Sequence, residues 1–93
     1  MIDVAGDRLK VSGPMVVTTA TVIKAAGESA LAAGAKVVDL VGVTEADSAA
    51  VAILLAWLRT AQQEQKTISI VNSPDSIRSL ATLYGVAELL PLA

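Results

Sequence analysis

The stretch VVDLVGVTEADSAAV, residues 37–51, decides the fold of this chain. Its first half is an apolar, β-branched run typical of a buried strand, and its second half reads as the start of a helix. Asp47 is predicted to cap that helix, which places the Ser48 hydroxyl beside unpaired backbone N–H groups at the positive end of the helix dipole. Such a position can hold a phosphate or an acceptor group of a partner protein. The stretch therefore predicts a switch or docking site.

Upstream of this stretch the sequence predicts a β-hairpin. Residues 8–12 alternate polar and apolar side chains, and residues 15–19 are rich in β-branched side chains. Gly13-Pro14 separates the two segments and is a typical turn pair. The two predicted strands are therefore expected to pair around it.

A helix is predicted to follow the hairpin, over residues 21–33. Thr19 or Thr21 is expected to cap it, and Gly34 is expected to end it. Gly27 weakens the middle of this helix, since glycine is a poor helix former.

Downstream, the alternation of helices and strands continues. The helix that starts at Ser48 is predicted to reach about Gln65, and residues 66–72 read as a strand. Pro74 suits the first turn of another helix that Gly85 ends, and the apolar tail is expected to add a short strand or an irregular segment. This order predicts an α/β domain with a small mixed or parallel sheet and helices packed against it.

Composition indicates one small folded domain over residues 1–93. Hydrophobic residues make up 54% of the chain and charged residues 17%, the opposite of a disordered chain. A net charge of −2 without a basic cluster, and only one Trp and one Tyr, argue against nucleic-acid binding.

The absence of Cys fits a cytosolic protein. No export signal is expected, because charged residues interrupt the N-terminus, and the longest apolar run is about half of the ~20 residues that a membrane span needs.

The helix after Asp47 is apolar on more sides than a small domain is expected to cover. An ordinary core-facing stripe is formed by Val51, Leu54, Leu55 and Leu58, and Ile53 and Trp57 lie outside it. We expect a partner protein to cover these two side chains, since Trp is enriched at interface hot spots. The alternative is that they pack against the first helix or the tail. An uncovered helix also makes a homodimer of the isolated chain possible.

Catalysis is not expected. The chain contains no His and no Cys, which removes the commonest general bases, thiol nucleophiles and nitrogen or sulfur metal ligands. Glu45 and Asp47 are close enough in sequence to bind a hard cation, but two acids at a helix start are more typical of capping. No glycine-rich phosphate loop is present, so we predict no cofactor, no metal and no ATP hydrolysis by the chain itself.

The same stretch resembles the signature of STAS domains, in which an Asp-Leu strand end precedes Asp-Ser or Asp-Thr and small residues. The residues that carry the resemblance are Asp39-Leu40, Val43 and Ala46-Asp47-Ser48-Ala49. The resemblance implies a single STAS-like domain. It also implies that Ser48 occupies the hydroxyl position of the family and Asp47 the position of the preceding acid.

Within that family, the C-terminal segment is similar to the STAS subunits of bacterial phospholipid ABC transporters. The similar segments are residues 79–86 and Leu89-Leu90-Pro91. This similarity implies a non-catalytic subunit that binds and regulates or stabilises a transporter ATPase together with its permease, and so helps to maintain outer-membrane lipid asymmetry. It implies a cytoplasmic location, peripheral to the inner membrane. The partner-binding residues would be Ser48, Asp47, Ile53 and Trp57.

STAS domains also act as anti-sigma factor antagonists, in which a kinase phosphorylates the hydroxyl and breaks a complex. Ser48 favours this alternative, because the transporter subunits usually carry Thr there. Residues 13–16 count against it, because they read Gly-Pro-Met-Val where many members carry Gly-Glu-Leu-Asp. Phosphorylation of Ser48 would add about −1.5 to −2 charge beside two acids and release a partner. The plain structural alternative is that Ser48 only helps to satisfy the N–H groups of the first helical turn.

Overall fold

Four strands form one mixed sheet in the computed structural model, which describes residues 1–91. The sheet has the order β1-β2-β3-β4, with β1 antiparallel to β2 and the other neighbouring pairs parallel. The strands are β1 (Ile2–Ala5), β2 (Arg8–Met15), β3 (Val37–Ala46) and β4 (Ser69–Val71). The predicted α/β class with a small mixed sheet is confirmed.

Three helices connect and follow the parallel strands. They are α1 (Ala20–Ala32), α2 (Ser48–Gln63) and α3 (Asp75–Leu83). Gly34 and Gly85 end α1 and α3 as predicted, and both adopt positive φ, at 115° and 70°, which glycine tolerates without strain. Pro74 stands at the N-cap of α3, one position before the first turn in which the sequence places it.

The structure contains a β-hairpin, but the one predicted around Gly13-Pro14 is wrong. The turn of the observed hairpin is at residues 6–7, where Gly6 has a φ of 63°, and its first strand is β1, which the sequence did not predict. Gly13 and Pro14 lie inside β2, where the register with β3 shifts between them. Residues 16–19 form a turn before α1, so the prediction of a strand there is wrong. A glycine-proline pair marks a backbone irregularity, and a bulge within a strand produces the same signature as a turn.

Helix α2 is covered by α1, which corrects the expectation that Ile53 and Trp57 face a partner. Trp57 is fully buried and Ile53 is 2% exposed. The indole Nε1 of Trp57 donates a hydrogen bond of 3.0 Å to the Lys24 carbonyl oxygen in α1. A Cβ at Gly27 would lie 2.1 Å from Trp57 Cζ2, so the missing side chain makes room for the ring. Gly27 is thus the reason why two helices can bury this tryptophan in so small a domain.

The tail packs as an irregular segment, one of the two predicted outcomes. Leu90 is 4% exposed, and the Ile70 backbone N–H of β4 donates to the Pro91 carbonyl oxygen at 3.4 Å. The rest of the predicted tail, Leu92, lies outside the described residues. Across residues 1–91, no helix combines the length and the apolar character needed to cross a membrane.

Candidate functional site

Asp47 fixes the junction between β3 and α2, as the sequence predicted. It is the N-cap of α2, and its Oδ1 accepts a hydrogen bond from the Ala49 backbone N–H at 2.8 Å. Its Oδ2 accepts from the Val17 backbone N–H at 3.1 Å. Both carboxylate oxygens are therefore engaged, one with α2 and one with the turn before α1. Asp47 is a positioning residue that joins these two elements.

Thr19 stabilises the same turn from its other side. It occupies the N-cap position of α1, but its side chain makes no capping bond to that helix. Its Oγ1 accepts from the Val16 N–H at 3.1 Å and lies 2.9 Å from the Pro14 carbonyl oxygen, to which it donates. The prediction that a threonine occupies the N-cap position of α1 is thus confirmed. The prediction that it caps the helix is wrong, because its hydroxyl forms hydrogen bonds within the preceding turn instead.

Ser48 is the first residue of α2 and is exposed. Within residues 1–91 its hydroxyl makes no hydrogen bond, so it is available to another molecule. The positive end of the α2 dipole lies at this point, although the N–H groups of Ala49 and Ala50 already donate to the side chain and the carbonyl oxygen of Asp47. The site can therefore receive an acceptor atom or carry a covalent phosphate.

An exposed apolar side chain lies next to this helix start. Val17 is 73% exposed, and its backbone is held by Asp47. We call the surface formed by Val17, Asp47 and Ser48 the docking edge. The structure brings Asp47 and Ser48 together there, whereas Ile53 and Trp57 lie in the core and are not part of it.

A second polar cluster, which the sequence did not predict as a cluster, lies around Asp39 in β3. Asp39 is 4% exposed, and its Oδ2 accepts from Arg8 Nη1 at 2.9 Å. Its Oδ1 accepts from the Val41 N–H and from Asn72 Nδ2, both at 3.0 Å. Asn72 adopts a φ of 57°, in the left-handed region that asparagine tolerates better than most residues. The cluster joins β2, β3 and the residue after β4, and it serves the fold.

Burial of Asp39 alone would raise the pKa of its carboxyl group. The hydrogen bonds from Asn72, from the Val41 N–H and from Arg8, together with the Arg8 charge, outweigh burial and lower the pKa from its ordinary value of 3.8. Since the pKa is lower in the folded state, this group stabilises the fold above pH 3.8. The stabilisation is lost as the pH falls through the folded-state pKa.

We expect Asp39→Asn to lower the free energy of unfolding at pH 7 by about 1 kcal/mol, because the ion pair with the 42%-exposed Arg8 side chain is partly screened by solvent. Urea unfolding of both proteins at pH 7 and at pH 3 measures the difference. The gap should shrink at pH 3, because this is below the ordinary pKa of 3.8 and unfolding of the wild type is then coupled to proton uptake by Asp39. An equal gap at both pH values would contradict the assigned role of the charge.

Among residues 1–91, no group of three or more acidic side chains is placed to hold a metal ion. Ser48 has no hydrogen-bonded base within those residues that would activate it as a nucleophile. The arrangement suits recognition and modification.

Comparison with known proteins agrees with this fold. The model of the family described as "Mlab, STAS domain" matches residues 2–91. No curated protein matches the sequence of this chain significantly.

Several solved structures share the fold. An anti-sigma factor antagonist from Mycobacterium paratuberculosis is 22% identical, with a TM-score of 0.76 over 99% of this chain and 81% of that chain. The anti-sigma factor antagonist SpoIIAA in its unphosphorylated form is 15% identical, with a TM-score of 0.72 over 100% of this chain and 86% of that chain. Bacillus SpoIIAA in its phosphorylated form is also 15% identical, with a TM-score of 0.68 and coverage of 100% and 89%. At these identities, the likeness establishes the fold alone.

Proposed function

Because this chain belongs to the MlaB-type STAS domain family, we propose that it is a non-catalytic subunit that binds and regulates the cytoplasmic ATPase of a phospholipid-transporting ABC system. The match of the family model over residues 2–91 is the observation that carries the proposal. In this role the protein lies at the inner membrane through its partner and contributes to outer-membrane lipid asymmetry.

The docking edge supplies the contact. Ser48 is exposed and uncommitted, and Val17 offers apolar surface beside it. Asp47 accepts hydrogen bonds from the amides of Val17 and of Ala49, the residue after Ser48, so the edge does not have to be ordered when a partner binds. A partner acceptor atom can bind the Ser48 hydroxyl at the positive end of the α2 dipole, while an apolar side chain packs on Val17.

Regulation then follows from binding free energy. A subunit that binds one conformation of the ATPase more tightly than another increases the population of that conformation. It also stabilises the folded ATPase by mass action. This chain needs no nucleotide site of its own for either effect.

Affinity capture of the tagged protein from its native host, with the co-purifying chains identified by mass spectrometry, tests the proposal. We expect an ABC ATPase together with its membrane permease. Recovery of an anti-sigma kinase, with no transporter component, would overturn the proposal.

Ser48→Asp tests the docking edge itself. We expect binding to the captured ATPase to weaken by at least about tenfold, because the added carboxylate lies beside Asp47 and repels an acceptor group. The fold should be retained, since an acid in the first turn of a helix is favourable. Ser76→Asp is the matched control, because Ser76 is an exposed serine in the first turn of α3. Equal affinities for both variants and the wild type would exclude Ser48 from the contact.

A second candidate function is an anti-sigma factor antagonist that is switched by phosphorylation of Ser48. Two observations favour it: the exposed hydroxyl at a helix start, and the fold shared with antagonists that include a phosphorylated form. Intact-mass measurement of the protein from cells in several growth conditions tests it. A phosphate mass shift that Ser48→Ala removes would support this function, and its complete absence would count against it.

A further inference from the structure

A shallow groove runs between the C-terminal half of α2 and the tail of the chain. Two adjoining depressions, with volumes of about 220 and 170 Å³, form it, and both are lined by Leu58, Gln62 and Leu89. Leu89 is 61% exposed, and Leu58 is only half-buried. The groove therefore leaves apolar surface of two separate segments in contact with solvent.

Two cationic side chains line the groove, and they differ in their partners. Lys66 Nζ donates to the Leu31 carbonyl oxygen at 3.1 Å and lies 3.7 Å from a carboxylate oxygen of Glu64. Arg59 is exposed, and within residues 1–91 it makes no hydrogen bond or ion pair through its side chain. No acidic side chain of that part of the chain lines either depression. Among the described residues, Arg59 is thus a cation without a partner beside apolar surface, in a protein whose net charge is −2.

The spacing along α2 defines what fits there. Leu55 and Arg59 line the same depression and are one helical turn apart, which puts their Cβ atoms about 6 Å from each other. A helix that lies along α2 meets both when it carries an apolar side chain and a carboxylate at the same spacing. A guanidinium group binds a carboxylate through paired, charge-assisted hydrogen bonds, and an apolar groove takes the apolar face of a helix.

We propose that this groove binds an acidic amphipathic helix of a partner protein, with an apolar side chain against Leu55, Leu58 and Leu89 and a carboxylate on Arg59. Arg59 lies about 16 Å from Ser48 along the axis of α2. The groove is therefore a surface separate from the docking edge, and this proposal does not depend on the identity of the partner that binds there.

A peptide titration tests the proposal without any knowledge of the natural partner. The probe is a synthetic amphipathic helical peptide of roughly 15 residues with Leu and Glu one turn apart. It is added to the full-length, ¹⁵N-labelled protein while the backbone amide signals are recorded. We expect the signals of residues 55–68 and of Leu89 to shift, and those of residues 47–49 to stay in place. A second peptide with Lys in place of Glu should bind about tenfold more weakly.

Charge reversal makes the test specific. Arg59→Glu should weaken binding of the Glu peptide about tenfold and strengthen binding of the Lys peptide by a similar factor. Lys36→Glu, at an exposed residue outside the groove, causes the same change of net charge and should leave both affinities unchanged. Leu89→Asp should weaken both peptides. Arg59 and Leu89 are both exposed, so these variants should fold.

Four outcomes would overturn the proposal. They are the absence of shifts, shifts centred on the docking edge, equal binding of the two peptides, and shifts of the groove signals on concentrating the protein without peptide. The last outcome would mean that a second copy of the chain covers the groove. Because no ATPase takes part in the titration, its failure would leave the proposed function untouched.

Discussion

Trp57→Ala is expected to destabilise the fold by about 3–5 kcal/mol, the cost typical of removing a large aromatic side chain from a core. The indole is fully buried, and its N–H is bonded to the Lys24 carbonyl oxygen, which the variant leaves without this donor. A domain of this length is stable by only about 5–14 kcal/mol in total. Thermal unfolding should therefore show a drop in midpoint temperature on the order of 20 °C. Urea unfolding should show a lower midpoint concentration.

The control for this variant is the substitution of another large apolar side chain that is exposed on the protein surface. Leu83 is 75% exposed on α3, and Leu83→Ala should change the free energy of unfolding by less than about 0.5 kcal/mol. If Trp57→Ala kept the wild-type midpoint and lost only partner binding, Trp57 would be an interface residue after all. The burial described above would then be wrong.

Gly27→Ala is expected to destabilise the protein by about 2 kcal/mol, although alanine is the better helix former. Propensity alone would favour alanine by about 1 kcal/mol. The added methyl group, however, would lie 2.1 Å from Trp57 Cζ2 and force the indole or the helix to shift. Overpacking costs about 1–3 kcal/mol, and a methyl group so close to several ring atoms places the cost at about 3 kcal/mol, which leaves a net of about 2 kcal/mol after the gain in propensity. Urea unfolding measures the net effect.

A matched substitution at an exposed position of the same helix should change the stability through helix propensity alone. Ala25 is exposed on α1, so Ala25→Gly should destabilise by about 1 kcal/mol through propensity alone. Gly27→Ala in a Trp57→Leu background should cost less than in the wild type, because the shorter side chain leaves room for the methyl group. A coupling energy near zero in this double-mutant cycle would separate Gly27 from Trp57 and contradict the packing.

Local signals in the sequence predicted most of the fold. The apolar run of β3, the Asp47 cap and the Gly34 and Gly85 stops depend on residues within a few positions of one another, and these predictions are confirmed. The antiparallel hairpin was expected at Gly13-Pro14. It was misplaced because a bulge and a turn use the same residue types.

These local signals did not predict contacts between residues that are far apart in the sequence. Arg8 and Asn72 lie 31 and 33 positions from Asp39, and the sequence does not indicate which polar groups would meet its carboxylate. Trp57 and Gly27 present the same difficulty, since a glycine in a helix reads as a weak point until the ring that occupies its space is known. The docking edge was only half predicted: Asp47 and Ser48 follow from capping, whereas Val17 depends on how the turn folds back.

The two hydrogen bonds of Asp47 have a consequence for motion. Because one carboxylate holds the Val17 and Ala49 amides, the turn at residues 16–19 and the first turn of α2 must move together. A molecule that pulls on Ser48 therefore strains the turn at residues 16–19. This turn belongs to the connection from β2 to β3, whereas Ser48 belongs to the connection from β3 to β4. Mechanical load applied at one exposed hydroxyl is in this way shared with the turn before α1.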